Sequence, residues 1–134
     1  MSINAVTDED HILDLLARYA RYADERESSA WGQLFADDAT FAPRSGGHYM
    51  GRAAIQTWFE DLFRGKGPHN RSLHFCCNPA ISISADEAEA VSDVVVCETD
   101  DDQPWRIYQV NRYFDRFVRQ NGQWLFSNRR IEGW

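Results

Sequence analysis

The segment Arg71-Ser72-Leu73-His74-Phe75-Cys76-Cys77-Asn78 opens the part of the chain whose pattern is that of β-strands. Successive side chains of an extended segment alternate between two faces. His74, Cys76 and Asn78 therefore share a polar face, and the apolar side chains between them point the other way. An imidazole titrates near neutral pH and is the most frequent proton carrier in enzymes, so His74 is the candidate working group here.

Three further extended runs follow without a helix between them. Acidic residues and Asn121-Gly122 separate the runs, and Asn-Gly is the strongest short hairpin signal. Pro79 indicates a bulge or a sheet edge rather than the end of a strand. Long strands that meander in this way form a curved antiparallel sheet. The predicted strands are 73–84, 88–99, 105–118 and 123–132.

The first predicted helix begins at Thr7, where a hydroxyl cap precedes three acidic residues, and runs to about residue 23. Asp24 falls four residues after Ala20 and so continues the apolar stripe, which aims a carboxylate at the interior. The alternative is a solvated helix end, because residues 24–27 are all charged. The predicted stripe consists of Leu13, Leu16, Ala17 and Ala20.

Two more helices are predicted before the strands. Ser28 and Ser29 are expected to cap a helix over 28–35, and a strand follows over 39–42. Gly51 opens the third helix, whose apolar side chains recur at helical spacing. These side chains, predicted to be core, are Ile55, Trp58, Phe59, Leu62 and Phe63. The predicted fold is α+β, with one domain over 1–134 and three N-terminal helices packed on the concave face of the sheet.

Composition narrows the classes of function. Of the 134 residues, 43% are hydrophobic and 13% are aromatic, as in a globular protein with a sizeable core. The formal net charge of −7 argues against nucleic-acid binding, which needs clustered basic residues. No segment has the pattern of a membrane span or a secretion signal, so we expect no membrane partner and a cytoplasmic location.

The patterns of cysteine, histidine and glycine predict neither a metal nor a cofactor. Cys76 and Cys77 are neighbours that point to opposite faces, and with Cys97 the cysteines are odd in number, which favours free thiols. His48 and His69 lie on turns without the spacing of metal ligands. No phosphate-binding glycine motif, nucleophile elbow or dinucleotide fingerprint occurs.

Segments along nearly the whole chain match one family pattern. They are residues 12–19, Asp24, 31–41, 51–55, 71–74 with Asn78, 112–117, 122–124 and Arg129-Arg130. On these residues the chain resembles the SnoaL-like branch of the nuclear transport factor 2-like superfamily. The resemblance implies a cone-like, curved antiparallel sheet of the cystatin-like type, with the helices on its concave face.

Within that branch the chain is most similar to cofactor-free dehydratases and eliminating enzymes, such as scytalone dehydratase, bile-acid dehydratase and hexachlorocyclohexane dehydrochlorinase. The resemblance implies an Asp-His dyad in which His74 is the base and Asp24 its partner, with Tyr19 and Arg129 as further catalytic residues. Taken without the resemblance, a core histidine bonded to the backbone is the alternative for His74. A carboxylate on one ring nitrogen fixes the tautomer and leaves the other nitrogen free to accept a proton.

Negative charge that forms when a proton is removed needs donors placed beforehand, and Asn78 and Asn111 join Tyr19 and Arg129 as suitable types. Arg129 and Arg130 are predicted on opposite faces of the last strand, so that only one faces a cavity. The resemblance favours Arg129. The alternative for Arg129 is a surface ion pair with an acid such as Asp115 or Glu132.

The remaining predicted substrate contacts are pocket walls. Gln109 and Asn111 depart from the family pattern, in which these positions are often small or apolar. Alternation along the last strand groups Leu125, Ser127, Arg129 and Ile131 on one face. The predicted substrate-binding residues are Asn78, Asn111, Gln109, Tyr113, Val94, Val96 and Trp58.

The predicted function is that of a cofactor-independent lyase, which eliminates water from a small hydrophobic cyclic or polyketide-like substrate. Isomerisation and cyclisation begin with the same proton abstraction and are the alternatives among enzymes. A non-catalytic ligand-binding or assembly subunit, like the small subunits of ring-hydroxylating dioxygenases, is the alternative from another class. Divergence of Asp24 and His74, or a cavity filled by aromatic side chains, would favour it. A homo-oligomer, a dimer or trimer, is expected by analogy with the superfamily.

Overall fold

The computed structural model describes residues 5–134 and has an α+β architecture in which helices pack on a curved, unclosed six-stranded sheet. The helices are α1 (Asp8–Asp24), α2 (Ser28–Gly32) and α3 (Arg52–Leu62). The strands are β1 (Phe35–Ala42), β2 (Tyr49–Met50), β3 (Arg71–Ser84), β4 (Glu87–Thr99), β5 (Arg106–Gln120) and β6 (Gln123–Gly133). The predicted α+β class is therefore confirmed.

The sheet has the order β2-β1-β6-β5-β4-β3, so β3 forms one edge. The four long strands pair antiparallel with their sequence neighbours, as predicted from the meander. β1 pairs parallel with β6, which the meander did not predict. Asn121 and Gly122 both have positive φ, 51° and 76°, and make the tight turn expected of Asn-Gly between β5 and β6.

The start of α1 is as predicted. The Thr7 hydroxyl accepts from the backbone N–H of Asp10 at 3.1 Å, and the Asp10 carboxylate accepts from the backbone N–H of Thr7 at 2.9 Å. This reciprocal capping box satisfies two amides that the helix itself leaves unpaired. The helix ends at Asp24, one residue beyond the predicted end.

The predicted apolar stripe of α1 is wrong by about one position. Leu13 is 39% exposed and Ala17 is also exposed, whereas Leu16 alone of the predicted set is buried. The larger side chains decide which face turns inward, because they gain most from leaving water. The buried residues of α1 are Ile12, Leu15, Leu16, Tyr19 and Ala23.

The second helix is shorter than the predicted 28–35. α2 ends at Gly32, and Glu27, not a serine, is at its N-cap, without a side-chain capping bond. The carbonyl of Leu34 accepts from the backbone N–H of Phe126 at 2.9 Å, so the chain is already extended beside β6 there. Tertiary pairing thus overrides the local helical pattern.

Only part of the predicted core stripe of α3 is buried. Ile55 and Phe59 are buried among the aromatic side chains between helices and sheet. Trp58 and Phe63 are only partly buried, and Leu62 is 42% exposed. Trp58, Leu62 and Phe63 instead form part of the wall of the cavity described below.

Candidate active site

The last residue of α1 and the fourth residue of β3 form a close carboxylate–imidazole pair. Asp24 Oδ1 lies 2.6 Å from His74 Nδ1, and the two side chains are 13% and 18% exposed. An ionised carboxylate can only accept a hydrogen bond, so Nδ1 carries the hydrogen and Nε2 is left as the acceptor. The imidazole is therefore held in one tautomer while keeping some access to solvent.

Asp24 also binds the backbone of the residue that it orients. The backbone N–H of His74 donates to Asp24 Oδ1 and Oδ2 at 3.2 and 3.1 Å. This N–H lies on the free edge of the sheet, because within residues 5–134 β4 is the only strand beside β3. A carboxylate at a helix C-terminus opposes the helix dipole, and these hydrogen bonds compensate for that cost.

His74 lines a cavity of about 220 Å³ between the helices and the sheet. One wall is aromatic and apolar, and the sheet side contributes polar groups. The Asn111 amide N–H donates to Gln109 Oε1 at 3.1 Å, and Asn111 Oδ1 accepts from Arg44 at 2.8 Å. The apolar wall includes Trp58, Phe59, Leu62, Phe63, Tyr108 and Ile131.

Beside His74 lies a buried ion pair under three aromatic rings. Arg129 Nε and Nη2 donate to the two oxygens of Asp115 at 2.6 and 2.7 Å, and the side chains are 2% and 0% exposed. The guanidinium carbon lies 4.0 Å from the ring centroid of Tyr19 and 4.4 Å from that of Tyr113. Burial alone would lower the pKa of Arg129, but the charge of Asp115 raises it above its ordinary value, and Arg129 stays charged.

The neighbouring hydroxyls and thiol keep their protons at neutral pH. Burial raises the pKa of Tyr19 above 10.0, against the opposing effect of the Arg129 guanidinium. Burial also raises the pKa of Tyr113 well above 10.0, and it raises that of the Cys76 thiol above 9.0. Tyr19 is therefore a hydrogen-bond donor, and Cys76 lacks the thiolate that nucleophilic chemistry requires.

The alternation predicted for the last strand is wrong. The register between β5 and β6 shifts between Phe126 and Asn128, so that Ser127 is an extra residue on β6. This bulge changes which side chains share a face. Arg129 consequently lies on the side of Phe126, 4.4 Å from its ring centroid, instead of the side of Ser127 and Leu125.

Only one of the two adjacent arginines points inward. Arg129 is 1% exposed, whereas Arg130 is exposed, pairs with Glu132 and lies over the ring of Phe114. Arg129 does not line the large cavity. It lines a void of about 10 Å³ that shares Tyr19, His74 and Tyr113 with that cavity. Its partner is Asp115, one of the acids named for it, but the pair is buried rather than on the surface.

The structure brings most of the predicted site residues together, in three positions. Asp24 lies behind His74, and Val94 lines the small void with Arg129. The predicted residues that line the large cavity are Tyr19, His74, Trp58, Val96, Gln109, Asn111 and Tyr113.

Asn78 is the exception. It is exposed, has a φ of 53°, and sits where the register of β3 and β4 shifts between Cys77 and Ala80. The bulge suggested by Pro79 is therefore present, and Asn78 is not among the residues that line the cavity. The predicted contact between Asn78 and substrate does not agree with this position, because period-two alternation does not continue through a bulge.

Several lining residues were not predicted. Arg44 belongs to the loop between β1 and β2, and Lys66 to the turn after α3, where sequence periodicity gives no orientation. Tyr108 is the extra residue at a shift of register between β4 and β5. Ile131 could have been predicted to face the site, because the sequence grouped it with Arg129 on one face of the last strand.

A wider groove of about 690 Å³ crosses strands β3 to β6 elsewhere on the molecule. It includes no histidine or tyrosine among its lining residues, and it is open to solvent. The cavity of about 220 Å³ that His74 lines is therefore the candidate active site.

Comparison with known proteins agrees with this architecture. The model of the SnoaL-like domain family matches residues 4–130. The chain belongs to the SnoaL-like family. A comparison with curated proteins finds no match. Within the described residues, no helix has the length and apolar character needed to cross a membrane.

Solved structures share the fold of this SnoaL-like protein. A Mycobacterium tuberculosis protein of unknown function, solved as an aspartate-to-asparagine variant, is 25% identical with a TM-score of 0.82, covering 92% of this chain and 74% of that one. A Novosphingobium aromaticivorans protein provisionally named scytalone dehydratase is 23% identical, with a TM-score of 0.82 and coverage of 95% and 84%. ActVI-ORFA from Streptomyces coelicolor is 20% identical, with a TM-score of 0.82 and coverage of 93% and 96%.

Proposed function

We propose that this SnoaL-like protein is a cofactor-independent lyase that removes a proton from a small hydrophobic cyclic molecule, with His74 as the base and Asp24 as its orienting partner. The observation that carries the proposal is the 2.6 Å contact between Asp24 Oδ1 and His74 Nδ1 at the wall of a cavity. This arrangement presents Nε2 as the proton acceptor and stabilises the imidazolium once the proton is taken.

Dehydration is the reaction that we favour. His74 Nε2 takes the proton from the carbon beside a carbonyl, the electrons of that C–H bond form a C=C bond, and the adjacent C–O bond breaks. The imidazolium then returns the proton to the departing hydroxide, and water leaves. The name of the Novosphingobium neighbour supports this choice by analogy only.

Donors near His74 are suited to the charge that forms on the carbonyl oxygen during this reaction. Tyr19 lines the cavity and stays protonated, and Asn111 and Gln109 present amide groups on the sheet side. The guanidinium of Arg129 packs against the ring of Tyr19 and does not line the cavity of about 220 Å³. We therefore assign Tyr19 as the donor and Arg129 as a positioning residue.

Isomerisation and cyclisation remain alternatives, because they begin with the same proton transfer. The non-catalytic alternative is less well supported, since Asp24 and His74 converge and the cavity has a volume of about 220 Å³.

We also propose a homo-oligomer, because exposed apolar side chains, among them Phe75, Ile107 and Val110, lie on β3 and β5. Light scattering of the purified protein tests this assembly, and a monomer at all concentrations would contradict it.

Proton abstraction can be tested before the substrate is known. A panel of cyclic hydroxy-ketones is incubated with the protein in D₂O, and exchange of the hydrogen beside the carbonyl is followed by NMR, together with any dehydrated product. We expect His74→Ala to reduce exchange by a factor on the order of 10²–10⁴. His69→Ala is the matched control, because His69 is exposed, lies 3.8 Å from Asp101 and does not itself line the cavity. Unchanged exchange in His74→Ala would overturn the proposal.

A further inference from the structure

The cationic side chains of this acidic protein are unevenly distributed. Most arginines have a carboxylate within 4.0 Å, as Arg112 has in Asp93 and Arg129 in Asp115. Among residues 5–134, the cationic side chains without such a partner are Arg26, Arg44, Lys66, Arg71 and Arg116.

Three of these unpaired cations, Arg44, Lys66 and Arg71, line the cavity that contains His74. Each of them is exposed, so they mark the part of the cavity lining that faces solvent, which we call the entrance. Arg26 adjoins the same entrance, because it donates to Asn70 Oδ1 at 3.0 Å and lies over the ring of Phe63.

Opposing charge at the entrance is already neutralised. Glu98 is the acidic residue that lines the cavity, and it is paired with Arg106. The local charge is therefore positive, although the whole chain carries a formal net charge of −7. Such a local excess concentrates anionic ligands at the cavity.

Arg44 is aimed by contacts that leave most of its donors free. Its Nη1 donates to Asn111 Oδ1 at 2.8 Å, and its guanidinium lies against the backbone of Gly133, where an added Cβ would come within 2.7 Å of it. A guanidinium has five donors in a planar fork that matches the oxygens of a carboxylate or phosphate.

We propose that the ligand of this cavity is a ring-shaped molecule that carries an anionic group, with the anion bound by Arg44, Lys66 and Arg71 and the ring held against the aromatic wall. That this ligand is the substrate rests on the proposed function, but its binding does not.

The test compares three two-ring probes of one shape: 2-naphthoate, 2-naphthyl phosphate and the neutral 2-naphthamide. Binding to the full chain is measured by calorimetry at low and high ionic strength. We expect at least one anion to bind about tenfold more tightly than the amide at low salt, and the preference to shrink at high salt. Tighter binding of the carboxylate indicates a carboxylic acid as the ligand, and tighter binding of the phosphate indicates a phosphate ester.

Variants locate the preference. The triple variant Arg44→Gln, Lys66→Gln, Arg71→Gln changes exposed side chains only, and we expect it to bind anion and amide equally. Arg116→Gln is the control, because Arg116 is also exposed and unpaired but lies outside this cavity. Equal binding of anion and amide by the natural protein, absence of anion binding, or a preference that survives in the triple variant would overturn the inference.

The outcomes also separate this inference from the proposed function. A protein that loses proton exchange in His74→Ala but binds the anions and the amide equally retains the function and excludes the anion site. A protein that prefers anions but exchanges protons equally with and without His74 retains the anion site and excludes the function.

Discussion

A carboxylate–guanidinium pair and a carboxylate–imidazole pair meet near the same cavity, and they differ in their access to water. Asp115 and Arg129 are 0% and 2% exposed, make two hydrogen bonds and lie under aromatic rings. Asp24 and His74 are 13% and 18% exposed and make one side-chain contact, and His74 lines the cavity with Asp24 behind it. The first pair is enclosed by protein, whereas the imidazole of the second is within reach of a molecule in the cavity. The two pairs have equally short contacts, so burial rather than distance is the difference between them, and under the proposed function it decides which pair takes part in proton transfer.

Breaking the buried pair should have the largest effect on stability. Asp115→Ala leaves the Arg129 charge without a partner, so we expect the free energy of unfolding to fall by about 3–5 kcal/mol. Urea denaturation measures this loss. The double variant Asp115→Leu, Arg129→Met removes both charges and should recover most of the stability. If the single and double variants were equally unstable, the uncompensated charge would not be the cause.

Breaking the pair of Asp24 and His74 should instead affect the proposed proton transfer. Asp24→Asn keeps an oxygen that accepts from the His74 backbone, but it no longer fixes the imidazole tautomer. We expect proton exchange to fall by a factor on the order of 10²–10⁴, with the fold retained by circular dichroism. Asp14→Asn, on the exposed side of the same helix, is the matched control. Equal exchange in both variants would contradict the role of Asp24.

The link between the pairs is the side chain of Tyr19, which contacts Arg129 and lines the cavity. Tyr19→Phe keeps the ring and removes the hydroxyl, so stability should change little while turnover falls by about 10²-fold. Tyr22→Phe, on the same helix but outside the cavity lining, should leave turnover unchanged. A full rate in Tyr19→Phe would remove the hydroxyl from the mechanism.

The smallest effect is expected for a partly exposed pair, Arg112 with Asp93, whose side chains are 40% and 31% exposed. The hydrogen bond from Arg112 holds the pKa of Asp93 below its ordinary value of 3.8. The ionised Asp93 carboxylate therefore stabilises the folded state. This contribution to the free energy of unfolding is fully present above pH 3.8 and is lost as the pH falls through the lowered pKa of Asp93 in the folded state. Thermal unfolding of Asp93→Asn should therefore differ from that of the natural protein slightly at pH 7 and less in strong acid. A difference that grows in acid would contradict this sign.

The sequence predicted the elements better than it predicted the orientation of single residues. Capping at Thr7, the Asn121-Gly122 turn and the four long strands depend on local chemistry, and all are present. Asp24 and His74 were paired from the chain's residues and a family resemblance, and the structure brings their side chains together. The pairing could not have come from spacing alone, because 50 residues separate them.

The prediction of side-chain orientation failed where a strand contains an extra residue. Regular alternation placed Ser127 with Arg129 and Asn78 with His74, and a register shift beside each of Ser127 and Asn78 changed the outcome. The loop residue Arg44 was missed because no periodicity applies to it. Bulges and loops are set by tertiary pairing, which a single sequence shows only indirectly.

The position of Asp24 at the free edge of β3 has a consequence for solubility. An edge strand offers unpaired amides to which another polypeptide can add, and the His74 amide is already taken by the Asp24 carboxylate. The group that orients the imidazole thus also closes one position on this edge to strand addition. Aggregation of an Asp24→Ala variant, in addition to its loss of turnover, would then come from the same uncovered amide.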